Sequence, residues 1–265
     1  MSGFYFDGVV PGAVGQGNTI IQWVHYLTRG AIAKVGDLKT IQREYDVACA
    51  VRNVVIPVTT IGDSYDASEP RILDPSNDMP TVMPVLAMVI IPQGKELSPV
   101  TTAAHGSAQA VPVKTETTRA ALILPAYTTT LANFHKERGA LNKAIMLNIA
   151  LCMVAAIQAF NRAGFCHADI KPNNIMLSNH SLHVVLIDYG SAVRYGETFF
   201  ETSDMYPLGC QTASLEYDRC CLAAVLYELK GGNLSSVPTA EQLMGRIKQS
   251  GPTSMTDAID LDLLN

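Results

Sequence analysis

The strongest constraint in this sequence is a change of hydrophobic period partway along it. Up to about residue 127 the apolar runs are short and broken by glycine; beyond it they recur at helical spacing. GVVPGAVGQGN, TIIQWVHYLT and GAIAKVG occupy the first forty residues, with glycines at 8, 12, 15, 17 and 30, the pattern of hairpins. Asp37 is placed to cap a helix beginning near Leu38, because Leu38, Ile41, Tyr45, Ala48 and Val51 then share one stripe. Val82–Ile91 and Ala120–Leu124 read as buried strands. From Leu141 to Ala163 the stripe becomes Ile145, Ile149, Met153, Ala156 and Phe160, a long helix. Residues 175–177 and 183–188 read as two strands about the turn SNHS. A last helix from about Ser214 to Leu229 stops at Gly231–Gly232. The expectation is an α+β chain of two lobes joined near residue 127.

With 48% hydrophobic and 16% charged residues, the chain can bury a sizeable core, which excludes wholesale disorder. Twenty-four acids against 19 bases give a net charge of −5 with no block of like charge, so nucleic acid and anionic membrane are not expected partners. The six cysteines show no CxxC spacing and read as reduced thiols of an intracellular protein. The start, MSGFYFDGVV, lacks the pattern of a signal peptide, and the apolar stretch Ala144 to Phe160, interrupted by Asn148 and Gln158, is short for a membrane span. A soluble intracellular chain is expected.

The densest chemical signal is His167-Ala-Asp169-Ile-Lys171-Pro-Asn-Asn174, followed by Asp188-Tyr-Gly190. Asp169, Lys171 and Asn174 lie on one loop between a helix and a hairpin, and Asp188 ends an apolar strand ahead of a glycine that permits a sharp turn. Hard oxygen donors such as Asn174 and Asp188 suit Mg²⁺, which keeps waters and borrows phosphate oxygens. A carboxylate and an ammonium beside such a metal suit phosphoryl transfer: one accepts a hydroxyl proton, the other neutralises the moving charge.

These motifs resemble those of eukaryotic-type protein kinases. His167–Asn174 is similar to the H-R-D-x-K-x-x-N catalytic loop and Asp188-Tyr-Gly190 to D-F-G. The resemblance implies Asp169 as catalytic base, Lys171 as the γ-phosphate contact of serine/threonine kinases, and Asn174 and Asp188 as metal ligands. Ala31-Ile-Ala-Lys34 resembles the β3 V-A-I-K, so Lys34 would contact the nucleotide phosphates, with Glu44 as its partner in preference to Asp46. Gly15-Gln-Gly17 resembles the start of the Gly-rich loop, with Ile20 where the third glycine is expected. Spacing to His167 puts the hinge at Pro125–Tyr127 and the gatekeeper at Leu124; Pro125, Tyr127 and Met176 complete the implied nucleotide-binding set. Asp218 would brace the catalytic loop from the helix that follows.

The implied fold is a kinase-like two-lobed α+β fold. Residues 1–127 form a β-rich N-lobe with one main helix and insertions near 63–80 and 92–118; residues 128–265 form a reduced helical C-lobe. The implied activity is ATP- and Mg²⁺-dependent phosphorylation of a protein hydroxyl. Ala168 stands in place of the H-R-D arginine, which implies independence from activation-loop phosphorylation. No A-P-E is present, with Tyr206-Pro207-Leu208 in its place, and Ile32 replaces the alanine two residues before the lysine. Two alternatives are a pseudokinase scaffold and a small-molecule phosphotransferase of the aminoglycoside-kinase type.

Overall fold

Asp37 ends one element and begins the next, and the fold is laid out from that junction. In the computed structural model its carboxylate accepts the Thr40 N–H at 2.9 Å, capping α1 (Leu38–Arg52). The structure describes residues 4–14, 20–26, 29–54, 56, 58–60, 81–93, 118–177, 183–199 and 212–231. The implied Gly15 and Gly17, most of both insertions, the SNHS turn and Tyr206–Leu208 lie outside them.

Two compact units divide the chain. One comprises Met1–Asp78 and Pro84–Ala126, the other Met79–Met83 and Tyr127–Asn265. The first holds a six-stranded sheet of β1 (Phe4–Val14), β2 (Ile20–Tyr26), β3 (Arg29–Asp37), β4 (Val58–Thr60), β5 (Ala87–Ile91) and β6 (Arg119–Pro125), in the order β1-β2-β3-β6-β5-β4. All pairs are antiparallel except β4 with β5. Period-two alternation puts Ala31, Ala33 and Val35 of β3 into one core with Ala87, Val89, Ile91, Ala121 and Ile123. The small alanines suit a sheet face closely covered, and Ile41, Val47, Ala48 and Val51 of α1 are buried as well.

The second unit is built around α3 (Lys143–Arg162), whose Met146, Ile149, Met153, Ile157 and Phe160 are each at most 1% exposed. Burying each such side chain contributes roughly 1.5–3 kcal/mol. By length and composition this helix is apolar enough to cross a membrane, although its apolar stretch Ala144 to Phe160 reads as short for a span. Here it packs on α4 (Leu215–Leu229) and on β10 (Val184–Leu186), which pairs with β9 (Ile175–Leu177). Ahead of α3 lie β7 (Thr129–Thr130) and α2 (Leu131–Arg138); β8 (Phe165–Cys166) pairs with β11 (Val193–Arg194).

Two differences from the sequence reading have local causes. The strand expected over Val82–Ile91 begins only at Ala87. Val82 instead bridges Leu186, with the Met83 N–H donating to the Leu186 carbonyl at 3.0 Å and the Leu186 N–H to the Thr81 carbonyl at 2.9 Å. These bonds commit residues 81–83 to the second unit. The short helix α2, implied by the resemblance, is not marked by periodicity, because of its residues only Leu131 is buried; its start is held by the Thr130 hydroxyl accepting the Asn133 N–H.

Candidate active site

In the first unit the alternation that buries Ala31, Ala33 and Val35 turns Ile32 and Lys34 to the opposite, half-buried face. Lys34 Nζ meets both oxygens of Glu44, at 2.7 and 2.9 Å. Glu44 is 3% exposed, on the same side of α1 as the buried Ile41, Val47 and Ala48. A carboxylate so buried persists only with a charged partner, and Lys34 supplies it. Asp46 lies on the exposed side of α1 and accepts from Gln42 Nε2 at 2.9 Å. Pro125 ends β6 opposite Ala31, where a missing N–H is tolerated, and Leu124 beside it is buried opposite Ile32.

In the second unit the loop after β8 bears Asp169, Lys171 and Asn174. Pro172 opens a single 3₁₀ turn, Pro172–Asn174, closed by the Asn174 N–H donating to the Lys171 carbonyl at 2.9 Å. That turn folds Asn174 back onto Asp169: its Nδ2 donates to Asp169 Oδ2 at 2.7 Å and to the Asp169 carbonyl at 2.9 Å. Lys171 Nζ stands 2.7 Å from the same Oδ2. The other oxygen, Asp169 Oδ1, is buried and has no partner. One oxygen is thus pinned by an ammonium and an amide, while the second keeps its acceptor capacity.

The β9–β10 register then brings Asp188 to the same place. Ile175 pairs with Leu186, and the Ile187 N–H donates to the Asn174 carbonyl at 2.9 Å, so Asn174 and Asp188 flank one end of the hairpin. Asp188 has φ +67°, and its Oδ1 accepts the Gly190 N–H at 3.3 Å. Because the Asn174 amide nitrogen is committed to Asp169, its side-chain oxygen is the atom left for a cation. Two hard oxygens of this kind fit Mg²⁺. Among the described residues no cluster of three or more His, Cys, Asp or Glu side chains forms a metal cage, so phosphate and water would complete the coordination. Met176 lies half-buried in β9 between the buried Ile175 and Leu177.

Beneath the loop, Asp218 of α4 is fully buried. Its Oδ2 accepts the His167 N–H at 2.8 Å, and its Oδ1 accepts the Ala168 N–H at 3.0 Å and the Cys166 thiol at 3.3 Å. Burial pushes its carboxyl above the usual carboxylate range, opposed in part by the neighbouring His167 and by the three donors. Ala168 sits at φ +66°, a left-handed conformation that costs an alanine about 1–2 kcal/mol. The His167 ring accepts the Asp169 N–H on Nδ1 at 3.3 Å and is joined through Nε2 to the Ile187 carbonyl at 3.1 Å. His167 and Tyr189 both pack on Phe160, with centroids 5.1 and 5.6 Å away, and the Tyr189 hydroxyl donates to the Met83 carbonyl. The sequence reading identified Asp218 but neither Cys166 nor Tyr189 as a partner; a thiol before the loop and a hydroxyl on the middle residue of Asp188-Tyr-Gly190 were the available signals.

Residues 109–217 match the family described as protein kinase domain, a span containing Pro125, Tyr127, Asp169, Lys171, Asn174 and Asp188 but not Lys34 or Glu44. A stretch of 50 residues is 46% identical to the serine/threonine-protein kinase CBK1 of Candida albicans. That stretch is 19% of this chain and only 7% of the length of that relative.

Proposed function

We propose, for a chain that carries a eukaryotic-type protein kinase domain, that it transfers the γ-phosphoryl group of Mg-ATP to a serine or threonine hydroxyl of a protein. The observation that carries this reading is the Asp169 carboxylate, with Oδ2 held by Lys171 and Asn174 and Oδ1 buried without a partner. Oδ1 is the atom that would take the proton of the attacking hydroxyl. Lys171 would neutralise charge on the transferred group, and its position two residues after Asp169 supports serine and threonine as acceptors. Lys34, oriented by Glu44, would hold the nucleotide phosphates. Asn174 and Asp188 would hold Mg²⁺, which when bound supplies charge neutralisation at the phosphate oxygens. The Pro125 carbonyl and Tyr127 N–H would meet the adenine edge, with Met176 against the base; Gly15 and Gly17 would cover the phosphates.

Independence from activation-loop phosphorylation is part of the proposal. At the position of the H-R-D arginine stands Ala168, fully buried and held by Asp218, and no cation is offered there to a phosphate.

Purified protein incubated with γ-labelled ATP, Mg²⁺ and generic protein substrates tests the reading. Label on serine and threonine with the wild type, and none with Asp169→Ala, is the expected result. Equal labelling by both would remove Asp169 as the base. Label on a small metabolite instead of protein would move the chain to small-molecule phosphotransfer.

A further inference from the structure

We propose that Cys166 is a positioning residue for the loop bearing Asp169, its thiol being the side-chain donor that completes the hydrogen-bond shell of the buried Asp218 carboxylate. Asp218 has no exposure to solvent, so each of its acceptor sites must be filled from within. The main chain supplies two donors, the N–H groups of His167 and Ala168. The Cys166 S–H, 3.3 Å from Oδ1 and itself fully buried, supplies the third. Burial, with the neighbouring carboxylate, pushes this thiol far above its ordinary range, so it stays protonated and donates.

The consequence for the loop is direct. The Oδ1 atom that takes the thiol also takes the Ala168 N–H, and Ala168 is the residue held at φ +66°. A weaker carboxylate anchor lets that strained peptide relax, and Asp169 follows it in the chain. The effect on turnover rests on the kinase reading above; the hydrogen bond and its effect on stability do not.

Asp218 holds its proton more tightly in the folded chain than in the unfolded one. Stability on its account is therefore full at acid pH and falls as pH rises through the raised value. Removing a donor to the ionised form makes that fall steeper. The other groups facing Asp218 are His167, Tyr195 from the segment after β11, and Tyr217 and Cys221 of α4. All are present in every variant, and the serine variant differs from the wild type only in the donor atom.

The experiment compares wild type, Cys166→Ala, Cys166→Val and Cys166→Ser by thermal midpoint at one acid and one alkaline pH, since the stability tied to the raised carboxyl falls as pH rises. Alanine and valine should show a deficit that is larger at the higher pH, and serine, which restores a donor, should recover most of it. In the phosphotransfer assay kcat should fall roughly tenfold for alanine and valine with KM for ATP unchanged, the size of one lost hydrogen bond to a charged group. If alanine does not fold, valine carries the comparison. A deficit equal at both pH values and not recovered by serine would overturn the proposal in favour of a mere cavity. Absence of phosphotransfer by the wild type would defeat the kinase reading alone, since the pH comparison stands without it.

Discussion

Asn174 donates twice from one amide nitrogen to Asp169, once to the side chain at 2.7 Å and once to the main chain at 2.9 Å. The bond sets the orientation of a carboxylate and, by occupying the nitrogen, assigns the amide oxygen to any cation.

Asn174→Asp separates those two roles. It keeps an oxygen ligand but replaces the donor with a second carboxylate against Asp169. We expect at least a hundredfold loss of kcat, of the order seen when a group stabilising the transition state is removed, while Mg²⁺-dependent nucleotide binding by calorimetry persists. Retained turnover would mean that Asp169 is oriented by something else.

The Lys34–Glu44 pair is nearly closed to solvent, with side chains 14% and 4% exposed. Glu44→Gln removes the carboxylate that meets the half-buried Lys34 ammonium at two oxygens and should destabilise the chain by about 3 kcal/mol. The exchange Lys34→Glu with Glu44→Lys should restore much of the stability, read by denaturant titration, without restoring phosphotransfer, because an acid would then stand where the proposed function puts a cation against the phosphates.

Tyr189→Phe keeps the ring against Phe160 and His167 but strips the Met83 carbonyl of its donor. A buried carbonyl left so costs about 1–2 kcal/mol, which in a chain of this size lowers the thermal midpoint by about 3–6 °C. An unchanged midpoint by calorimetry would show that the hydroxyl bond contributes nothing.

The Asp37 cap predicts a pH dependence. Hydrogen bonds from Thr40 hold its carboxyl below the usual value, so its stabilising effect is present above the ordinary carboxylate range and is lost as pH falls through the lowered value. Asp37→Ala should therefore cost about 1 kcal/mol at neutral pH and little in strong acid, followed by circular dichroism. A pH-independent cost would remove the cap as its cause.

Ile32 shares the half-buried face of β3 with Lys34 and stands opposite the buried Leu124. Ile32→Ala should enlarge that face and tighten ATP binding several-fold, the scale of about 1 kcal/mol, measured by calorimetry. Weaker binding would argue that the isoleucine packs on the nucleotide as a useful contact.

Periodicity and local chemistry in the sequence determined much of this protein. The alternation of Ala31 to Val35, the Asp37 cap, the α3 stripe and the stop at Gly231 are all effects of residues within a few positions of each other, so they are written in the order of the chain. The spacing of Asp169, Lys171 and Asn174 is equally local, and one 3₁₀ turn suffices to gather them. The sequence could rank Glu44 above Asp46, because a turn of helix places them on different sides. Only the tertiary structure decided that Val82 leaves the expected strand for Leu186, that Tyr189 reaches Met83, and that Cys166 and Asp218 share a hydrogen bond. Those partners lie tens of residues apart, and no period relates them. They meet because a buried polar group must find whichever donor or acceptor the packed core brings within reach, and that choice exists only once the chain has folded.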